Sequence, residues 1–271
     1  MAVLLCCGFP CLLQGADSPS QDKVSGSWPQ QFGPRKLHPW QYGFVYARNK
    51  SVAGQVQKML ETAIKDAGAD GMAGPTAGLV VVLDTKEAFP FDVDRLIEAT
   101  RKAKTDAETE KAVKMLAEAK AKMEKEGLDI TSVLSIMPLP ILPATLRQVA
   151  PEFPEDVEQQ IAWCVVVPTG RCIKAGFKKI IDAAMKKEKA GLAKRAALAA
   201  MMPIVERKVV AQMKKVQQAT VYESLVHVQS NLLADQKKQK VDTYKQKLGL
   251  NEGIKVTDSD KKEPNDPEED E

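Results

Sequence analysis

From Ser51 to Ala67 apolar residues recur every three or four positions, at Val52, Val56, Met59, Leu60, Ala63, Ile64 and Ala67, and Gly68 follows. That is the spacing of one helix face, closed by a residue suited to end a helix. The pattern then changes. Leu79 to Leu83 and Ile161 to Val167 are unbroken apolar runs rich in Val. With no polar position to turn toward water, each predicts a strand buried on both sides. Phe44 to Ala47 predicts a shorter strand.

Helical spacing returns after the first buried run. Asp92 can cap a helix through Lys104, with Val93, Leu96, Ile97, Thr100 and Ala103 on one side. Thr105 with Glu108 makes a capping box for a second helix that ends at Gly127. Pro138, Pro140 and Pro143 break the apolar stretch Leu128 to Pro143, which predicts an extended connection beyond about Ile136. Helix resumes from Phe177, with Phe177, Ile180, Ile181 and Ala184 inward. It continues through the Ala-rich Leu192 to Met202, where Pro203 either kinks it or opens a new one. Ile204 to Leu248 is helical by composition. Val221, Leu225, Val228 and Leu232 share a face, while the β-branched Thr220 to Val228 leaves a strand open. Two strand-to-helix spacings echo each other, from Val80 to Leu96 and from Val165 to Ile180, and βα units in general share that likeness.

These elements define a helix-dominated α/β fold: a small sheet with at least two buried strands, covered by amphipathic helices, plus a C-terminal helical region. The organisation reads as a candidate signal peptide at 1–16, an irregular Pro/Gln/Gly-rich segment at 17–43, an α/β domain with its C-terminal helices at 44–248, and a disordered acidic tail at 249–271.

Composition adds little, and charge distribution adds more. Of 271 residues, 44% are hydrophobic and 28% charged, as in an ordinary folded protein. Aromatics are 5%, which speaks against a base- or sugar-stacking platform. Net charge is only +3, but Arg171 to Lys247 holds 18 Lys and Arg against 6 Asp and Glu, and Asn251 to Glu271 holds 9 acids against 3 Lys. A basic helical region precedes an acidic tail.

The uncharged run Ala2 to Leu13 is too short to span a bilayer and matches the core of a signal peptide, with small residues at Gly15 and Ala16 and a polar stretch after them. Against that, no Lys or Arg precedes it. The expectation is export, periplasmic or extracellular, with no transmembrane span in the mature chain; the alternative is a cytoplasmic protein. Cleavage after Ala16 would remove Cys6, Cys7 and Cys11 and leave Cys164 and Cys172. In an oxidising compartment, a tight turn at Pro168-Thr169-Gly170 would bring those two together as a disulfide.

Chemistry is sparsely signalled. Pro168 to Lys179 joins strand to helix and carries Arg171, Lys174, Lys178 and Lys179, a candidate anion site at a helix N-terminus. The phosphate-loop pattern fails there, because five residues separate Gly170 from Gly176 and Phe177 follows. Asp84, Glu87, Asp92 and Asp94 follow the first buried strand, where carboxylates can serve catalysis, though Asp92 and Asp94 also suit a helix start. His38 and His227 show no spacing that pairs them with Cys164 or Cys172. Nothing marks a cofactor or a metal. The leading reading is an exported, non-catalytic binding or interaction protein; its partner is unknown, another protein being one candidate. The alternatives are an enzyme or small-anion binder at the strand carboxyl ends, near Asp84 and Arg171, and an intracellular nucleic-acid binder, which the scattered lysines disfavour.

Overall fold

The computed structural model describes residues 43–46, 50–68, 78–84, 93–103, 107–146, 161–189 and 191–250. The leader, the irregular segment up to residue 42, the caps at Asp92 and Thr105, the carboxylate Glu87 and the tail from residue 251 lie outside those residues, as does His38.

Among the described residues four strands form one sheet: Gly43–Tyr46 (β1), Gly78–Leu83 (β2), Leu139–Ile141 (β3) and Trp163–Pro168 (β4). Their spatial order is β1-β2-β4-β3, with β1, β2 and β4 parallel and β3 antiparallel to β4. The helices are Lys50–Ala67 (α1), Val93–Ala103 (α2), Ala107–Lys125 (α3), Ile130–Leu134 (α4), Gly170–Lys187 (α5), Leu192–His227 (α6) and Ala234–Lys247 (α7).

The unbroken apolar runs are central strands because helices cover both faces. Side chains alternate across a strand. Leu79, Val81 and Leu83 therefore join Cys164 and Val166 on one face, under Leu96 of α2, Leu116 of α3 and Leu134 of α4. Val80 and Val82 join Trp163, Val165 and Val167 on the other, under Leu60 of α1, Leu225 of α6 and Tyr244 of α7. Each fully buried Val or Leu contributes about 1.5–3 kcal/mol, so every position of β2 and β4 favours this layering. A smaller cluster of Ile136, Ile173 and Met213 fixes α5 to α6.

Three local expectations change. The proline-broken stretch is more structured than an extended connection. Asp129 caps the five-residue α4, its side chain accepting the Thr131 N–H at 2.9 Å, and β3 follows. Pro140 is tolerated because β3 is an edge strand, where a missing N–H breaks no central ladder. Pro203 opens no new helix. α6 runs through it from Leu192 to His227, and Thr220 to His227 is helix rather than strand.

The third change concerns Cys164 and Cys172. No disulfide joins them; both are buried thiols. The predicted turn is absent. β4 ends at Pro168, Thr169 caps the next helix with an extended backbone (ψ 167°), and α5 begins at Gly170. A strand rising about 3.3 Å per residue carries Cys172 away from Cys164 along β4, beyond the roughly 4.4–6.8 Å that a disulfide needs.

Candidate functional site

The carboxyl edge of the parallel strands is the first place to look for chemistry in an α/β fold. Here its described polar groups serve one another. The Thr169 N–H donates to Leu83 O at 2.9 Å, and Gln217 Nε2 of α6 donates to Pro168 O at 2.6 Å. The Thr169 hydroxyl donates to Asp84 Oδ1 at 2.9 Å, and its oxygen accepts the Cys172 N–H at 3.4 Å. Arg171 Nε lies 3.8 Å from the same Asp84 oxygen. At this helix N-terminus the Thr169 hydroxyl and the Arg171 guanidinium thus meet the chain's own carboxylate, Asp84.

The four predicted cations differ in their surroundings. Lys174 pairs with Glu206 of α6 at 3.8 Å. Lys178 is exposed. Lys179, about 100° further round the helix, lines an open groove of about 680 Å3 between the end of α3 and the last turns of α5. Lys125, Lys186 and Lys187 share that groove with Glu126 and Asp182, and Lys187 sits 3.7 Å from Glu126, so its charge is mixed. Asp94, in the first turn of α2, is held by Lys120 of α3 at 2.6 Å. The His227 carbonyl accepts from Lys237 Nζ at 2.6 Å, which makes that residue part of the α6–α7 connection. Among the described residues no group of three or more His, Cys, Asp or Glu could hold a metal ion, and no helix is long and apolar enough to cross a membrane.

The feature that the residue pattern did not single out is the first half of α6. Between Leu192 and Val205 only Lys194 and Arg195 are charged or polar. Leu192 is 86% exposed, Met201 59% and Ile204 60%. A helix apolar all round is normally a buried one, yet this segment leaves those three side chains open, whereas Val221 and Leu225 in the second half are buried against the sheet. Past Ile204 the exposed side turns basic, with Arg207, Lys208, Lys214 and Lys215.

No protein family, curated protein or solved structure matches the chain. Its class is given by its own fold, a helix-dominated α/β protein with a small mixed sheet.

Proposed function

We propose that the chain is a non-catalytic binding protein, that its working surface is the uncovered face of α6, and that this surface takes an acidic helical segment of another protein. The observation that carries the reading is the exposure of Met201 and Ile204 on a helical segment whose composition is that of a core helix. Ala196, Ala197 and Ala200 leave room for a second helix to approach closely. Arg207, Lys208, Lys214 and Lys215 give the same helix a positive surface, and Glu206, the one acid between Leu192 and Lys215, is engaged by Lys174. A second copy fits poorly, because like charges would meet. A lipid surface fits poorly too, because no Trp, Tyr or Phe lies between Leu192 and Val221. The internal partners of Leu83, Asp84 and Pro168 support a role other than catalysis at the strand edge. The apolar run Ala2 to Leu13 supports an exported location for this module.

The test is a benzophenone amino acid placed at Met201 or Ile204 of the full chain, irradiated in its native host. Adducts on acidic helical segments of another protein, absent from a control site at Lys114 on α3, are the expected result. Adducts no different from the control, or only with lipid or with another copy, would overturn the reading.

A further inference from the structure

Among the described elements, α7 covers only part of the outer face of α6. α7 runs antiparallel beside it, as its pairings show. Gln218 Nε2 donates to Tyr244 Oη at 2.7 Å, Lys245 pairs with Glu223 at 2.9 Å, and Lys215 Nζ lies 3.9 Å from where a Cβ on Gly249 would be. On the helical repeat, the face that α7 covers at Tyr222 and Gln218 continues through Lys215, Ala211, Lys208 and Ile204 to Ala197. Those five residues are all exposed.

α7 stops where the uncovered part begins. Gly249 adopts φ 70°, its N–H donates to Gln246 O at 2.9 Å, and the Leu250 N–H donates to Lys245 O at 2.9 Å. That bond pair closes a helix with a left-handed residue, which glycine adopts without strain. The chain thus leaves α7 beside Lys215, at the boundary between the covered and uncovered lengths of α6.

The sequence beyond Leu250 has the complementary charge. Asn251 to Glu271 carries 9 acids against 3 Lys, while the face ahead carries Lys208 and Lys215, flanked by Arg207 and Lys214. From Lys215 to Ala197 is about 27 Å at 1.5 Å per residue. A segment of this length spans roughly 25 Å as a flexible coil, and more when extended. Exit point, reach and charge agree.

We infer that the C-terminal segment 251–271 docks along the uncovered face of α6 and occupies it until a partner displaces it. The docking stands on the geometry above; only the displacement rests on the proposed partner surface. Exposed ion pairs are individually weak and are screened by salt. The segment is therefore held by several pairs together, and the contact is salt-sensitive.

Zero-length carbodiimide cross-linking of the dilute full chain tests this, with adducts mapped by mass spectrometry. Carboxylates of 258–271 should join Lys208, Lys214 and Lys215 at least tenfold more than Lys111 and Lys114 of α3, and about 0.5 M NaCl should erase the preference. A uniform distribution, a preference indifferent to salt, or adducts only between isotopically distinct copies would overturn the docking. A second arm measures the affinity of an acidic amphipathic helical peptide for the chain and for a variant with Glu268→Gln, Glu269→Gln, Asp270→Asn and Glu271→Gln. Neutralising the tail should tighten binding about threefold or more, and equal affinities would overturn the displacement. If neither protein binds the peptide, the partner reading fails, and the cross-link pattern still decides the docking.

Discussion

Gly78 and Trp163 are register partners across β2 and β4, and the indole fills the space that a side chain at 78 would need. An ideal Cβ there would lie 1.9 Å from Trp163 Cε2. Trp163 is fully buried, so the ring has nowhere to move without disturbing Val80 and Val165 beside it. Gly78→Ala is expected to destabilise the fold by about 3 kcal/mol or more, the upper range for overpacking a core. Urea unfolding followed by Trp fluorescence checks it, and an unchanged midpoint would contradict the packing. Trp163→Leu in the Gly78→Ala background should recover part of the loss.

Asp84 is the internal anion that joins the ends of β2 and β4. Its replacement by Ala removes the Thr169 hydrogen bond and the Arg171 pair. A loss of about 1–2 kcal/mol in unfolding free energy is expected, with little effect on binding at α6. Full stability in Asp84→Ala would show that the fold does not need the carboxylate there and would leave it available for chemistry.

Cys164 and Cys172 lie in the same buried cluster but on successive elements. Both thiols should resist a polar thiol reagent in the native chain and react together on unfolding, in denaturant without reductant. Peptide mapping that recovered the two as one oxidised pair would contradict the straight passage from β4 into α5.

Much of the fold was legible because periodicity reports burial. The Val-rich runs at β2 and β4 have no polar side to misread, and the helical spacing at α1 and α2 follows a single buried face. β3 was hidden by its three residues and by Pro140, which argues against a strand except at an edge. The Pro168–Gly170 stretch carried two meanings. Pro and Gly are turn residues, whereas Thr169 three places before Cys172 is a helix cap, and local sequence does not decide between them. At 220–228, β-branching favoured a strand, but burial of Val221 and Leu225 against α1 and the sheet outweighs that intrinsic preference. The echo between the two βα units also dissolves, since α5 begins two residues after β4 ends and α2 begins ten residues after β2. The surface on α6 was illegible for another reason. An apolar helical run looks the same covered or bare, and only the position where α7 stops shows which part is bare.

Tyr244 stacks on Tyr222 with ring centroids 3.8 Å apart and donates to Asp66 Oδ2 at 2.9 Å. Burial first, and then the hydrogen bond to Asp66, push its phenol up to about 12. Burial and the Asp66 charge raise Tyr222 as well. An unfolded tyrosine titrates near pH 10. The unfolded chain therefore releases a proton that the folded chain keeps, and stability, complete below about pH 10, falls as pH rises through about 12. Tyr244→Phe should cost about 1 kcal/mol near neutrality from the lost hydrogen bonds and should make the alkaline decline shallower. Urea midpoints taken from pH 8 upward check this, and an unaltered slope would remove Tyr244 from the linkage.

If α6, and not the strand edge, is the working surface, hydrogen–deuterium exchange on the full chain will register it, measured with and without an acidic amphipathic helical peptide. Slowed exchange should be confined to Leu192–Lys215, abolished by Met201→Glu or Ile204→Glu and retained in Asp84→Ala. Protection centred on Leu83, Asp84 and Thr169–Arg171, or no change on α6 at a saturating peptide concentration, would contradict that assignment.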